Sequence, residues 1–261
     1  TALLVTIGGI GIWRGLNELE KVEKFAVSLN LGVIGALLVG LLIYNGRLLL
    51  AGEWVLPQLS THTGFQDLRV VLGLLIVVQG FETSRYLGDQ HPAEQRISTM
   101  RNAQIISAVI YVVFIGLATV LFHDDLGADV TAIIEMMKPV APILPLLLGI
   151  AAVGSQFSAA VADNSGAGGL IKDLSRNRLS IGTGYLMVLL VTVALTWETD
   201  VNQIIAYASR AFALFYSLQG AVAFLVAWER RDLPRRGLRL MNFAIITAAC
   251  LLVFLLGLPS G

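Results

Sequence analysis

The stretch that decides the fold spans residues 68–90 and reads LRVVLGLLIVVQGFETSRYLGDQ. Its first half is almost wholly apolar, and the polar or small residues then cluster near or just past its midpoint: Gln79, Gly80, Glu82, Thr83 and Ser84. Gly80 weakens a helix, while Gln, Thr and Ser side chains offer replacement hydrogen bonds. Irregular backbone inside a bilayer is tolerated only where it is buried in protein or lines a cavity. The stretch therefore predicts a broken transmembrane helix at a midplane binding site.

An alternative for the same stretch is a continuous helix. Glu82 would then pair with Arg85, three residues later, near the inner membrane surface. A carboxylate inside the membrane costs about 2.5–3.5 kcal/mol on insertion scales, so a partner or a function is expected for Glu82 under either interpretation.

The composition indicates an integral membrane protein. Of 261 residues, 56% are hydrophobic and 14% are charged, whereas soluble domains have about 45–50% and 25%. Eighteen basic residues balance eighteen acidic ones, which argues against a nucleic-acid partner. The single cysteine, Cys250, excludes a disulfide framework, and His62, His91 and His123 lie far apart. No GxGxxG, Walker, GxSxG or HExxH motif is present, so we expect no enzyme and no metal cluster.

Apolar runs long enough to cross a membrane recur along the chain, because a crossing needs about 20 residues in a helix. One truncated run precedes seven full ones. The runs are Ala2–Trp13, Phe25–Tyr44, Leu68–Gly88, Ala103–Phe122, Ile143–Asp163, Leu179–Trp197, Val201–Trp228 and Leu238–Leu258. Since the chain opens inside an apolar run, without a signal peptide, we expect a fragment or processed chain that begins within a span.

The basic residues predict the orientation of the spans. Fourteen of the eighteen basic residues lie in every second connection between the runs. Three lie in the other connections, and Arg210 lies inside a run. The positive-inside rule therefore places residues 16–24, 89–102, 166–178 and 229–236 on the inner side. On the outer side, Val130–Lys138 is predicted to form either an interfacial helix or an ordinary loop helix.

Two further runs contain polar residues. Ser155 and Ser158 are three residues apart and share a helix face, so their hydroxyls suit a hard cation such as Na⁺ or, alternatively, close helix packing. Asp163 is either a solvated interfacial carboxylate or part of a proton relay. Arg210 either faces the bundle interior with a partner or snorkels toward Glu198 or Asp200, and Tyr207 either gates a cavity or packs.

Three motifs, in order, resemble the amino acid–polyamine–organocation (APC) transporter superfamily. Residues 2–43, ALLVTIGGIGIWRGLNELEKVEKFAVSLNLGVIGALLVGLLI, are similar to the fourth and fifth spans of that family. QGFE at 79–82 resembles the break in the sixth span. Residues 155–180, SQFSAAVADNSGAGGLIKDLSRNRLS, resemble the eighth span and its inner loop.

This resemblance implies an all-α integral membrane protein with the leucine-transporter type of inverted-repeat helix bundle, and about eight spans in this chain. Residues 1–44 would end the first repeat, 68–228 would form the second five-span repeat, and 238–258 an extra span, all within one membrane domain, with the first spans missing. The substrate contacts would lie at Gln79, Gly80, Phe81, Glu82 and Thr83. The ion position would lie near Ser158. Asn30 stands where many proton-coupled relatives have a lysine, which favours Na⁺ over H⁺.

The expected function is secondary active transport of a small organic solute, an amino acid or an amine, by a multi-pass protein of the cell membrane. The coupling ion would be Na⁺ or H⁺, and we expect no cofactor other than a bound Na⁺. The alternative is a transporter-like sensor or partner subunit that binds solute without moving it.

The orientation is testable by cysteine labelling. In a Cys250→Ser background, we expect Ser175→Cys to resist an impermeant thiol reagent applied to intact cells and to react after the membrane is permeabilised, because residues 166–178 are assigned to the inner side. Labelling of intact cells would reverse the topology.

Overall fold

The computed structural model describes residues 2–14, 19–57, 64–74, 80, 84, 91–123, 126, 131–199 and 201–258. Over these ranges the regular structure is helical and no strand occurs. The α-helices are α1 (Ala2–Arg14), α2 (Leu19–Ala51), α3 (Phe65–Gly73), α4 (Ala93–Ala118), α5 (Ala132–Met136), α6 (Leu144–Leu174), α7 (Ile181–Glu198), α8 (Val201–Glu229) and α9 (Arg236–Leu256). A 3₁₀ turn at Thr119–Leu121 extends α4.

Six helices within the described ranges are long and apolar enough to cross a membrane. These segments are Phe25–Ala51, Ala93–Leu121, Leu144–Leu174, Ile181–Glu198, Gln203–Glu229 and Arg236–Leu256. Many of their apolar side chains face outward, such as Val112 with 74% of its surface exposed, as lipid contact requires. The all-helical membrane fold is thus confirmed.

The span count differs from the predicted eight. Helix α1 has 13 residues, which at 1.5 Å per residue is too short for a hydrocarbon layer of about 30 Å. In the third apolar run, α3 has only 9 residues and ends at Gly73, and most of residues 75–90 lie outside the described ranges.

Helices α2 and α6 extend well beyond their apolar runs. Helix α2 continues to Ala51, and α6 continues past Asp163 to Leu174. Helix α6 ends where Arg176 and Asn177 adopt positive φ of 53° and 61°, and the Asn177 amide bonds the Lys172 carbonyl at 2.9 Å. This left-handed turn satisfies carbonyls at the helix end, and much of the connection assigned to 166–178 is therefore helical.

The chain divides into two compact units, Thr1–Ser60 with Gly80–Ala194, and Thr61–Gln79 with Leu195–Gly261. The repeat boundaries expected at 44, 68 and 228 stay a prediction.

In the first unit, the largest buried cluster joins α2, α4, α5 and the start of α6. Met136 and Met137 at the end of α5 are buried in it, so the helix expected within Val130–Lys138 exists and is anchored to the protein.

A buried asparagine ties α2 to α4 in this unit. The Asn45 amide donates to the Leu41 and Leu117 carbonyls, each at 2.9 Å, and its oxygen accepts from the Trp54 indole at 2.9 Å. A buried polar group without partners is costly, and this side chain uses both donors and its acceptor. Asn45 therefore fixes the register between α2 and α4.

Helices α6 and α7 make close contact through glycines. A Cβ on Gly184 would lie 3.2 Å from the Gly168 Cα, and a Cβ on Gly168 would overlap the buried Tyr185 ring. Small residues allow this close approach of helices in a membrane. Gly168, in the eighth-span motif, is therefore a packing residue.

The second unit is built on a hairpin of α8 and α9. The Ser217 hydroxyl donates to the Thr247 carbonyl at 3.3 Å, and a Cβ on Gly220 would lie 2.5 Å from the Thr247 hydroxyl oxygen. A small residue and a hydroxyl on α8 thus allow close packing against α9 and bond its backbone.

A junction of α3, α8 and the end of α9 completes this unit. The buried Ser209 hydroxyl donates to the Gly73 carbonyl at 2.6 Å, which caps the end of α3. Arg69 donates to the Leu256 carbonyl at 2.9 Å, and the Leu258 amide donates back to the Arg69 carbonyl at 2.9 Å. We call this set the α3–α9 junction, and it holds the end of α3 against the end of α9.

The junction predicts a strict requirement for glycine at position 73. A Cβ on Gly73 would overlap the Leu258 carbonyl oxygen, which is backbone and cannot rotate away. We expect Gly73→Ala to destabilise the protein by about 2 kcal/mol, the usual cost of overpacking. Thermal unfolding in detergent measures this loss. Gly149→Ala is the matched control, because a Cβ there meets nothing within 4 Å, and equal stability of the two variants would contradict the assigned contact.

Candidate functional site

Beyond Leu74, the structure describes two residues of the third apolar run, Gly80 and Ser84. Gly80 has φ of 108°, outside the α-helical region and in a range that L side chains rarely adopt. A Cβ at Gly80 would meet nothing within 4 Å, so the glycine is required by its backbone angle and not by crowding. The other predicted substrate contacts, Gln79, Phe81, Glu82 and Thr83, lie outside the described residues, as does Arg85.

Ser84 belongs to a small polar network that follows the glycine. Its carbonyl accepts from the Arg96 guanidinium at 3.0 Å, and its hydroxyl points to the Met100 sulfur at 3.5 Å. Arg96 also donates to the His91 carbonyl at 3.2 Å. Helix α4 therefore holds backbone carbonyls of the chain that leads into it, so one of the basic residues counted for topology also has a structural role.

The two candidate ion-binding serines lie on α6. Ser155 is half-buried, and its hydroxyl donates to the Ala152 carbonyl at 3.2 Å. Once a hydroxyl has donated its hydrogen, its oxygen lone pairs remain available to an external donor or cation. Ser158 is also half-buried, one turn further along the same face.

Asp163 lies within α6, which continues past it to Leu174, and its side chain is exposed. Its expected place at the inner end of the membrane span, as a solvated carboxylate or as part of a proton relay, stays a prediction. The neighbouring Asn164 is buried, and its amide donates to the Ala160 carbonyl at 2.7 Å. Asn164 was not singled out from the sequence, although a second polar residue beside Asp163 in an apolar run was a usable signal.

Arg210 faces the protein. Its Nε and Nη2 atoms lie 3.4 Å and 3.3 Å from the Gly257 carbonyl, just beyond the end of α9. Arg210 therefore has a backbone partner in the protein, and the choice between the two orientations that the sequence leaves open stays a prediction. Tyr207, three residues earlier, is 65% exposed, so it lies on a different face of α8 from the buried Ser209.

The predicted residues fall into separate groups. Arg210 belongs to the α3–α9 junction in one unit, whereas Gly80 and the α6 serines belong to the other. Ser209, which caps α3, was missed because a lone serine in an apolar run looks like an ordinary packing residue. Within the described ranges, no group of three or more His, Cys, Asp or Glu side chains is placed to hold a metal ion.

Comparison with known proteins identifies the family of the chain. A family model described as an APC superfamily transporter matches residues 1–257. An uncharacterized protein of Aquifex aeolicus (strain VF5) is 42% identical over 260 residues, covering 98% of this chain. The chain spans 61% of the length of that relative. No solved structure matches the chain. With the family model covering nearly its full length and a helical membrane fold to match, this chain belongs to the APC superfamily of transporters.

Proposed function

We propose that the protein carries a small organic solute, an amino acid or an amine, across the cell membrane by alternating access driven by an ion gradient. Family membership supports transport in general, and the substrate class is the finer proposal. The observation that supports the site is the backbone of Gly80. This glycine follows the apolar first half of the third run, and its φ is 108°. Non-helical backbone within a membrane presents amide and carbonyl groups to a zwitterionic or cationic solute.

We propose that the solute binds at residues 79–83, with Glu82 facing its amino group. Glu82 is the acidic residue nearest to the glycine in sequence, and a carboxylate in the membrane costs least when it meets a cation. Two helix segments separated by non-helical backbone also present dipole ends of opposite sign to a zwitterion. A sensor that binds without transport would use the same contacts, so flux has to be measured beside binding.

We propose that Na⁺ is the coupling ion and that it is held by Ser155 and Ser158. The bond from Ser155 to the Ala152 carbonyl orients its lone pairs away from that carbonyl, and Na⁺ needs several uncharged oxygens at about 2.3–2.5 Å, by analogy with other hard cations. The remaining ligands would come from elsewhere in the whole protein. The competing scheme is proton coupling through Glu82 or Asp163.

We propose that Arg210 is an intramembrane charge that fixes the end of α9 and, through the α3–α9 junction, the end of α3. Its guanidinium lies on the Gly257 carbonyl, next to the Leu256 carbonyl that Arg69 holds. Tyr207 remains a candidate gating residue because its ring is exposed.

Gly80→Ala tests the solute site. An L residue at this φ costs about 1–3 kcal/mol, so either the backbone changes or the segment is strained. We expect solute binding and uptake in proteoliposomes to fall by about tenfold or more, with normal membrane insertion. Gly116→Ala, in α4 where a Cβ meets nothing within 4 Å, is the matched control. Unchanged affinity in Gly80→Ala would place the binding site elsewhere.

Ser158→Ala tests the coupling ion. Loss of one oxygen ligand to a cation should raise the Na⁺ concentration for half-maximal uptake by roughly tenfold, with a smaller effect on solute affinity at saturating Na⁺ because the two sites are linked. Ser107→Ala, a half-buried serine of α4, should leave both values unchanged. Full uptake in Na⁺-free buffer under an inward proton gradient would exclude Na⁺ and favour the proton scheme.

A further inference from the structure

The loop between α8 and α9 holds the densest concentration of positive charge in the sequence. Five arginines occur between residues 230 and 239, with two acidic residues, Glu229 and Asp232, in the same segment. The arginines are Arg230, Arg231, Arg235, Arg236 and Arg239. The positive-inside rule accounts for basic residues in such a loop but not for what their side chains contact.

Two of these arginines are used inside the protein. Arg236 donates to the Ala227 carbonyl at 3.0 Å and to the Trp228 carbonyl at 2.6 Å, and its guanidinium lies 5.7 Å from the centre of the Trp228 ring. It therefore caps the C-terminal end of α8, where carbonyls lack helical partners. Arg230 pairs with Asp232 at 3.0 Å, and this bond lowers the pKa of the Asp232 carboxyl.

Arg231, Arg235 and Arg239 form what we call the arginine patch. All three are exposed. Within the described residues, their side chains form no ion pair and no side-chain hydrogen bond. The first turn of α9 carries no acidic residue, so nothing nearby on that helix offsets their charge. An anion from outside the protein would pair with these three exposed charges.

The position of the patch specifies the kind of anion. Helices α8 and α9 both have the length and apolarity of membrane spans, so the short loop that joins them lies at a bilayer surface on either topology. Trp228 is 59% exposed at the same end of α8, and tryptophan is enriched at the depth of lipid headgroups. The guanidinium groups are thus held at the level of headgroup phosphates, which arginine binds through paired N–H donors.

We propose that the arginine patch binds the headgroups of anionic phospholipids and so anchors the α8–α9 hairpin at the membrane surface. The geometry favours lipid over a soluble phosphate compound because Trp228 and both helices keep the patch at the membrane. Each basic residue near an anionic surface strengthens binding by about fivefold. The three arginines together then give a preference for anionic over zwitterionic lipid on the order of one hundredfold.

Quenching of Trp228 fluorescence by brominated lipid measures this preference at the site itself. The purified protein carries Trp13→Phe, Trp54→Phe and Trp197→Phe, with any tryptophan outside this chain replaced likewise. It is reconstituted with brominated phosphatidylglycerol or brominated phosphatidylcholine at increasing mole fraction. We expect stronger quenching by the phosphatidylglycerol, a loss of about fivefold in its relative binding constant for Arg235→Gln alone, and near-complete loss for Arg231→Gln/Arg235→Gln/Arg239→Gln.

Controls separate local binding from net charge and from folding. Arg101→Gln/Arg176→Gln/Arg178→Gln removes the same charge from other exposed positions, and it should leave Trp228 quenching within about twofold of the parent. Lysine at all three patch positions keeps the positive charge and should restore much of the preference for anionic lipid. This variant therefore tests the proposal even if the triple glutamine variant folds poorly. Inorganic phosphate at millimolar concentration should not compete.

Three results would overturn the proposal. One is equal quenching by the two lipids in the parent protein. Another is an equal loss of preference in the two triple glutamine variants, which would reduce the effect to net charge. The third is competition by inorganic phosphate, which would identify a soluble anion as the ligand.

Discussion

A bilayer offers no water to backbone groups, so every helix end and every non-helical residue within it must find a partner in the protein. The α3–α9 junction shows how this chain meets that constraint. The Gly73 carbonyl, at the end of α3, accepts from Ser209, and the Leu256 and Gly257 carbonyls at the end of α9 accept from Arg69 and Arg210. Helix α3 has only 9 residues, and the bond from Ser209 satisfies a carbonyl at its end that lacks a helical partner.

The same constraint limits where a solute can bind. Residues 68–78 are almost entirely apolar, and a continuous helix there would present no polar backbone to a ligand. The positive φ of Gly80 removes that residue from helical geometry, and amide groups around such a residue are satisfied by protein, solvent in a cavity, or solute. If the solute forms some of these hydrogen bonds, the free energy of its binding depends on the backbone conformation at Gly80.

Much of the fold was predictable because hydrophobicity over about 20 residues is a strong signal. The span at 201–228 agrees closely with α8, and the segment at 238–258 agrees with α9 to within two residues at each end. The extension of α6 past Asp163 was not predictable from hydrophobicity, because polar residues such as Lys172 and Asp173 are compatible with a helix outside the apolar layer. The length of a helix and the thickness of the bilayer are separate quantities. The length of an apolar run indicates only the thickness of the bilayer.

The candidate site was less predictable, for a physical reason. Apolar runs record which residues tolerate lipid, whereas the partner of a single polar residue depends on which helices meet. The partner of Arg210 is the backbone carbonyl at position 257, which no side-chain pattern encodes. Asn45 and Ser209 were overlooked for the same reason, since their bonds to Leu117 and Gly73 cross from one helix to another.

Three arginines of this chain bind the C-terminal ends of helices. Arg69 and Arg210 bind carbonyls at the end of α9, and Arg236 binds carbonyls at the end of α8. Helix C-termini carry a partial negative charge and unpaired carbonyls, so a guanidinium there satisfies both itself and the helix. The start of α9 offers no such carbonyls, because the free groups of a helix N-terminus are N–H donors with partial positive charge. Arg236, at that end, reaches back to the carbonyls at the end of α8. The exposed side chains of Arg231, Arg235 and Arg239 make no such bond among the described residues, and an external anion would pair with them.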